Sequence, residues 1–243
     1  MIEFVFFIAI LFFIGILFYK QANEEFQILQ LDAERIEELP TLYVDRSPIV
    51  VRGFQVPALG NQEALEKRPH ILQMAVAPQL SLQALLASKA LSTFQFSQET
   101  ATFLAKEAGL NIWFETLFKK LLPSPWTSWL YSHQTSLWPH HRGLFKTKAF
   151  QTMLMPTQGS TTVSLLLPKM IPYLPTRWEG RAFKGLTQQD TPLLNQIQFI
   201  EIKLRKGNFL MLPAHVIVDV SSTEDTAWIF QADIHHPISR IAS

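Results

Sequence analysis

The chain contains no cysteine. Disulfides, thiolate catalysis and cysteine-ligated zinc are excluded, and the composition is compatible with a reducing compartment. Charge is nearly balanced: 21 Lys and Arg against 20 Asp and Glu leave a formal net charge of +1. Such a chain carries no strong field to steer it to nucleic acid, and it has neither a Lys/Arg-rich run nor a nucleic-acid motif. Also missing are a Gly-x-Ser-x-Gly elbow, a phosphate loop and a His-Glu-x-x-His pair. Internal repeats and low-complexity segments are absent. What is present is 243 residues of a greasy composition, 48% hydrophobic and 17% charged. That is enough for one domain of moderate size with additions.

Part of the hydrophobic excess sits at the start. Ile2–Tyr19 reads IEFVFFIAILFFIGILFY, with Glu3 its one charge. As a helix it is about 27 Å long, close to the hydrocarbon thickness of a bilayer. A membrane anchor is therefore expected. A signal peptide fits less well, because no basic segment precedes the run and no small-x-small pattern follows it. A buried core helix would need protein on every face. Lys20 at the far end places the following domain on the cytosolic side by the charge rule. The expected organisation is a single-pass anchor over 1–20, a helical stalk over 21–40 and one domain over 41–243. In the stalk, Phe26, Leu29, Ala33 and Ile36 fall at helical spacing, and Pro40 ends the pattern.

Further on, Ile49–Val51 between Pro48 and Gly53 predicts a strand. Asn61 and Ser81 are expected to cap short helices, through Lys67 and to about Leu91, and Ile71–Ala77 is a candidate strand. Ser97–Leu122 carries a wide apolar face of Phe103, Leu110, Trp113, Phe114, Leu117 and Leu121, broken at Gly109-Leu110-Asn111. After Leu130 the helical period disappears. Gln151–Met155 and Thr161–Leu167, joined through Thr157–Ser160, read as a hairpin. Residues 170–195 read as a long loop, 226–234 as the last strand, and His235-His236 as a solvated tail.

The most informative stretch is QFIEIKLRKGNFLMLPAHVIVDV, Gln198–Val220. Ile200, Ile202 and Leu204 alternate with Glu201 and Lys203, the period of a half-buried strand. Lys206-Gly207-Asn208 supplies a turn. Phe209–Leu212 is a second run, stopped by Pro213, and Val216–Val220 is a third.

This order of Leu204, Gly207-Asn208, Phe209–Leu212 and Pro213 resembles the late strands of JmjC-type cupins. Pro48–Gly53 resembles the opening strand of that family, and Gly159 with Thr162–Pro168 a middle one. The resemblance implies an α+β fold: a double-stranded β-helix, or cupin barrel, with helices packed on it and a long loop, 170–195, over its mouth. It further implies an Fe(II)/2-oxoglutarate oxygenase, with iron held by a His-x-Asp/Glu pair and a later His. Those positions fall at Lys146, Lys148 and Val218. Valine has no lone pair, and an ammonium is a poor ligand. No metal and no cofactor is therefore expected, and the chain reads as a pseudo-oxygenase. Its expected role is a structural or assembly subunit that meets the bilayer through Ile2 to Tyr19 and other protein subunits through its domain, in an organellar or virion membrane.

Two alternatives follow from the residues. Iron could be held by relocated ligands such as His140, His215 and Asp219, although adjacent His140 and His141 point to opposite faces of an extended strand. Or Lys146 and Lys148, two apart and so on one face, could bind an anion in the barrel mouth; solvated lysines are the plainer reading.

Overall fold

The computed structural model describes residues 2–20, 27–88, 94–222 and 226–242. Its strands are β1 (Leu29–Asp32), β2 (Ile49–Arg52), β3 (Ala75–Ala77), β4 (Leu80–Ser81), β5 (Ser132–Pro139) and β6 (Gly143–Lys146), then β7 (Gln151–Gln158), β8 (Ser160–Leu166), β9 (Phe199–Arg205), β10 (Phe209–Pro213), β11 (Ile217–Ser221) and β12 (Trp228–His235). Its helices are α1 (Ile2–Lys20), α2 (Leu39–Leu42), α3 (Gln62–Glu66), α4 (Pro69–Leu72), α5 (Leu82–Ala87), α6 (Gln98–Glu107), α7 (Leu110–Phe118) and α8 (Pro237–Ala242). The fold is α+β. One sheet has the order β1-β2-β10-β7-β12-β5 and a second the order β6-β11-β8-β9. From β5 onward the chain moves repeatedly between these sheets. They stay separate layers, and no barrel closes.

Register and the period of two decide which residues share a face. On the first sheet, Phe230 stands opposite Met155 and Ala232 opposite Met153. That face is covered by helices: the Phe230 ring lies 5.5 Å from Trp113 and 5.8 Å from Phe114. Burial of one such aromatic contributes about 1.5–3 kcal/mol. The other face carries Leu154, Gln231 and Asp233 and looks toward the second sheet. From the second sheet, Val163, Leu165, Val218 and Val220 join the same apolar cluster.

Local signals explain the short helices. The Asn61 side chain accepts from the Ala64 N–H at 3.0 Å, and the Ser81 hydroxyl from the Ala84 N–H at 3.2 Å. Residues 89–91 of the second expected helix lie outside the described residues. Gly109 has φ +78° and separates α6 from α7. Helix α7 starts at Leu110, directly after Gly109, and Phe103 is 49% exposed rather than part of the apolar face.

Several expectations are corrected. The stalk is not a helix: Leu29–Asp32 is extended and pairs in parallel with Ile49–Arg52, and Ala33–Glu38 is a 3-10 turn. Burial of Leu31 against the sheet outweighs the helical spacing seen in the sequence. Gln21–Phe26 lie outside the described residues. Helix α4 occupies Ile71-Leu72, and only Ala75–Ala77 of that segment is a strand. Strands β7 and β8 do not form a hairpin; they belong to different sheets. Gly159, at φ +73°, carries the chain across, and the register slips opposite Thr157 between Trp228 and Ile229. The loop 168–197 lies on the outer face of the second sheet, where Met170, Leu174 and Phe183 cover Leu144, Leu166 and Ile217. It follows β6 as an added edge: Gly180 N–H donates to Leu144 O at 2.7 Å, and Leu144 N–H to Arg181 O at 2.8 Å.

Candidate functional site

Between the sheets, the inner layer changes character from one side to the other. Across β10 and β7 it is apolar. At β12 and the edge strand β5 it turns polar, because WIFQADIH alternates: Trp228, Phe230, Ala232 and Ile234 face the helices, and Gln231, Asp233 and His235 face inward. A cavity of about 190 Å³ opens there, bounded also by Arg142, Lys146 and Lys148.

The cavity holds a continuous polar network. The Asp233 carboxylate accepts from the Thr152 hydroxyl at 2.7 Å and from the Gln231 amide at 2.7 Å. The Gln231 amide oxygen accepts in turn from the Arg142 guanidinium, which also donates to Gln98 at 3.3 Å. Arg142 lies over the Phe145 ring at 3.7 Å and beside Trp138 at 4.9 Å. Burial draws its pKa down to about 10, with the Asp233 and Glu179 charges opposing, so it stays a cation at neutral pH. Among the described residues no carboxylate forms an ion pair with it. Three cations thus face the one carboxylate of Asp233. Burial lowers the His235 pKa, which keeps that imidazole neutral. His235 is therefore a partly buried cavity residue, and His236 packs its ring 5.0 Å from Tyr131; neither is a solvated tail.

Lys146 and Lys148 flank Thr147, whose side chain turns the other way. The Thr147 hydroxyl donates to Pro213 O at 2.7 Å and accepts from the Val216 N–H at 2.9 Å. The Thr147 N–H donates to Val216 O at 2.9 Å, and the His215 N–H to Thr147 O at 2.8 Å. This clamp ties the end of β6 to the turn before β11 and sets both lysines at the cavity.

The positions that the JmjC resemblance assigns to iron do not share one face: Lys146 lies on the strand face of Ile217, which belongs to the outer cluster, and Val218 on the inner face. Lys146 stands opposite Ile217 and Phe145 opposite Val218 on adjacent strands. The residues there do not fit iron. Val218 is 0% exposed, and its cross-strand neighbours on the inner face are Phe145 and Leu165. The lysines offer ammonium groups. Among the described residues, no three of His, Asp or Glu converge as a metal cage would require.

The relocated set is spread out. His140, with φ +57°, donates its N–H to Ala227 O at one end of the sheets, near where Arg142 N–H meets Val220 O. His215 sits at the opposite end of the β6–β11 pair, its ring 5.2 Å from Tyr19. Asp219 faces away from the inner layer, under the 168–197 loop, where one oxygen accepts from the Phe183 N–H at 3.1 Å and the other is buried without a partner. Burial raises its pKa, opposed by that bond.

Arg142 carries no motif and was not legible as a site residue. The inward face of Gln231, Asp233 and His235 was missed as well, although the alternation of WIFQADIH was a signal that could have found it.

Helix α1 is long and apolar enough to cross a membrane, and none of Glu3–Lys20 is buried. Comparison with known proteins adds little to this geometry. No family model matches the chain, and no curated protein does. A crystal structure of Drosophila melanogaster CENP-C bound to CAL1 is similar over part of the fold, with a TM-score of 0.27 and 10% identity. The match covers 42% of this chain and 60% of that one.

Proposed function

We propose that this chain is a membrane-anchored, non-catalytic cupin-type domain that serves as a structural or assembly subunit. The strand order supports the fold half of this reading. Four strands in the order β5-β12-β7-β10 against four in the order β6-β11-β8-β9, joined by crossings between layers, is the arrangement of an eight-stranded jelly roll. The observation that carries the functional half is Val218. Where the JmjC-like pattern calls for an iron-binding imidazole, a valine is sealed between Phe145 and Leu165. Apolar packing at that point stabilises a layer and leaves nothing to hold a reactive centre. An oxygenase with relocated ligands is disfavoured by the separation of His140, His215 and Asp219. The test is solubilisation of the native membrane in mild detergent, followed by size analysis and identification of co-purifying chains. A stable complex with defined partners is expected; a free monomer would count against the proposal.

The cavity favours a second reading, an anion-binding fold in which Arg142, Lys146 and Lys148 receive a phosphate or carboxylate group. Titration of the full-length chain with inorganic phosphate and with acetate tests it. Binding that is lost in the Lys146→Ala/Lys148→Ala double variant supports this reading; an unchanged affinity ends it.

A further inference from the structure

Outside α1 the large apolar side chains above 60% exposure are Trp126 at 89%, Val44 at 83%, Trp129 at 79%, Ile112 at 66% and Ile241 at 62%, and Ile112, on α7, is not part of the group considered next. Val44, Trp126, Trp129 and Ile241 come from three separate parts of the chain, and contacts gather those parts around the C-terminal end of α1. Helix α8, which carries Ile241, packs along α1: a Cβ placed on Gly15 would meet the Ile238 side chain at 3.2 Å. Arg46, two residues from Val44, donates to Phe18 O at 2.8 Å and lies 4.3 Å over the Phe18 ring. The Tyr19 hydroxyl donates to Lys148 O at 3.0 Å. The 3-10 turn Pro125–Leu130, which carries both tryptophans, runs into Tyr131, and Tyr131 packs against His236 at the start of α8. Arg240 donates to Ser132 and fixes α8 to the same segment.

The position along α1 identifies what covers these side chains. Gly15 lies five residues before Lys20, about 7–8 Å along the helix axis. If α1 spans a bilayer, a helix that packs at Gly15 is held at the depth of the headgroups and the first methylenes. Exposed tryptophan is the side chain suited to that zone, with an apolar ring and one N–H donor. Lys20 ends α1 and Arg240 lies on α8, which packs along it; both are exposed, and their positive charge complements lipid phosphates. Water would leave the tryptophans solvated, whereas the interface of the bilayer that α1 crosses covers them.

We propose that Val44, Trp126, Trp129 and Ile241 form a collar that sits in the phospholipid interface around the anchor, so that the domain lies on the membrane and is not merely tethered to it. This proposal rests on the membrane-anchor reading. It is tested with the full-length chain in phosphatidylcholine–phosphatidylglycerol vesicles, with and without bromine on the acyl chains near the headgroup. Wild-type tryptophan emission is expected to be quenched by the brominated lipid. The bromine-sensitive part should be lost in Trp126→Phe/Trp129→Phe, whose substitutions are exposed and leave the core intact. Alkaline carbonate extraction of the same vesicles separates the two readings. Release of the wild-type chain overturns the anchor and the collar together. Retention with unquenched emission, or with equal quenching in the double variant, overturns the collar alone, and the exposed patch then faces water or another protein.

Discussion

Substitution of Val218 by histidine introduces the residue that the JmjC-like pattern would call for and so distinguishes a packed interior from a metal centre lacking one ligand. Val218 is fully buried, with Phe145 and Leu165 on either side. An imidazole is larger than an isopropyl group, and overpacking a tight core costs about 1–3 kcal/mol. Its ring nitrogens would meet apolar side chains, and a buried polar group without a partner costs about 1–3 kcal/mol more. The sum, about 2–6 kcal/mol, corresponds to a fall in Tm of roughly 5–20 °C for a chain of this size. Thermal unfolding of the full-length chain in detergent, with and without Fe(II) or Zn(II), reads it. Val218→His should melt lower, and metal should not restore it, because a ligand stabilises only what it binds in the folded state and Lys146 and Lys148 supply no further donor. A variant as stable as wild type, or one whose Tm climbs with metal, would refute the account of the interior.

Other consequences follow from the same contacts. Thr147→Val keeps the shape but leaves the Val216 N–H and Pro213 O without their partner; a loss of about 1–3 kcal/mol is expected in urea unfolding, with Lys146 and Lys148 released from the cavity. Gly143→Ala should destabilise strongly, since its Cβ would stand 2.4 Å from Gly180 O at φ +74°; comparison of expression and melting with Gly109→Ala, which meets no atom within 4 Å, isolates the clash from the backbone strain. Stability should also depend on pH. Burial lowers the pKa of His133, His141, His215 and His235 in the folded chain, so the unfolded chain binds more protons below about 6.5. Their contribution is fully present above that value and is lost as the pH falls through the folded pKa values. Asp219, raised by burial, acts in the opposite sense, losing stability as pH rises from 3.8 through its folded value; Asp219→Asn removes it. Melting curves from pH 7.5 to 5 should show a falling Tm in Asp219→Asn, where the histidine contribution acts without the opposing carboxyl, and a flat or rising profile in that variant would contradict the assignment.

Much of the fold was legible where local chemistry decides it. The apolar run of α1, the caps Asn61 and Ser81, the break at Gly109 and the β9–β11 succession around Gly207 and Pro213 all depend on neighbours in sequence. What was not legible depends on partners far away. Leu29 and Leu31 carry both a helical and a strand spacing, and only the edge of β2 selects the strand. The run around Gly159 has every mark of a hairpin, yet its strands pair on both sides with other strands, β7 with β10 and β12 and β8 with β11 and β9, in different layers. The site divides the same way. Valine at position 218 could be recognised as unable to bind iron from its chemistry alone. Arg142 gains its meaning only from Gln231, Gln98 and two aromatic rings brought to it by the fold.

The central claim, an interior packed where a cupin oxygenase would hold its metal, is tested most directly by metal analysis of the purified full-length chain after exposure to Fe(II) and 2-oxoglutarate without oxygen, followed by succinate measurement once oxygen is admitted. The account predicts iron far below one per chain and succinate no greater than in a protein-free blank. One equivalent of tightly held iron, or succinate formed in proportion to protein, would contradict it.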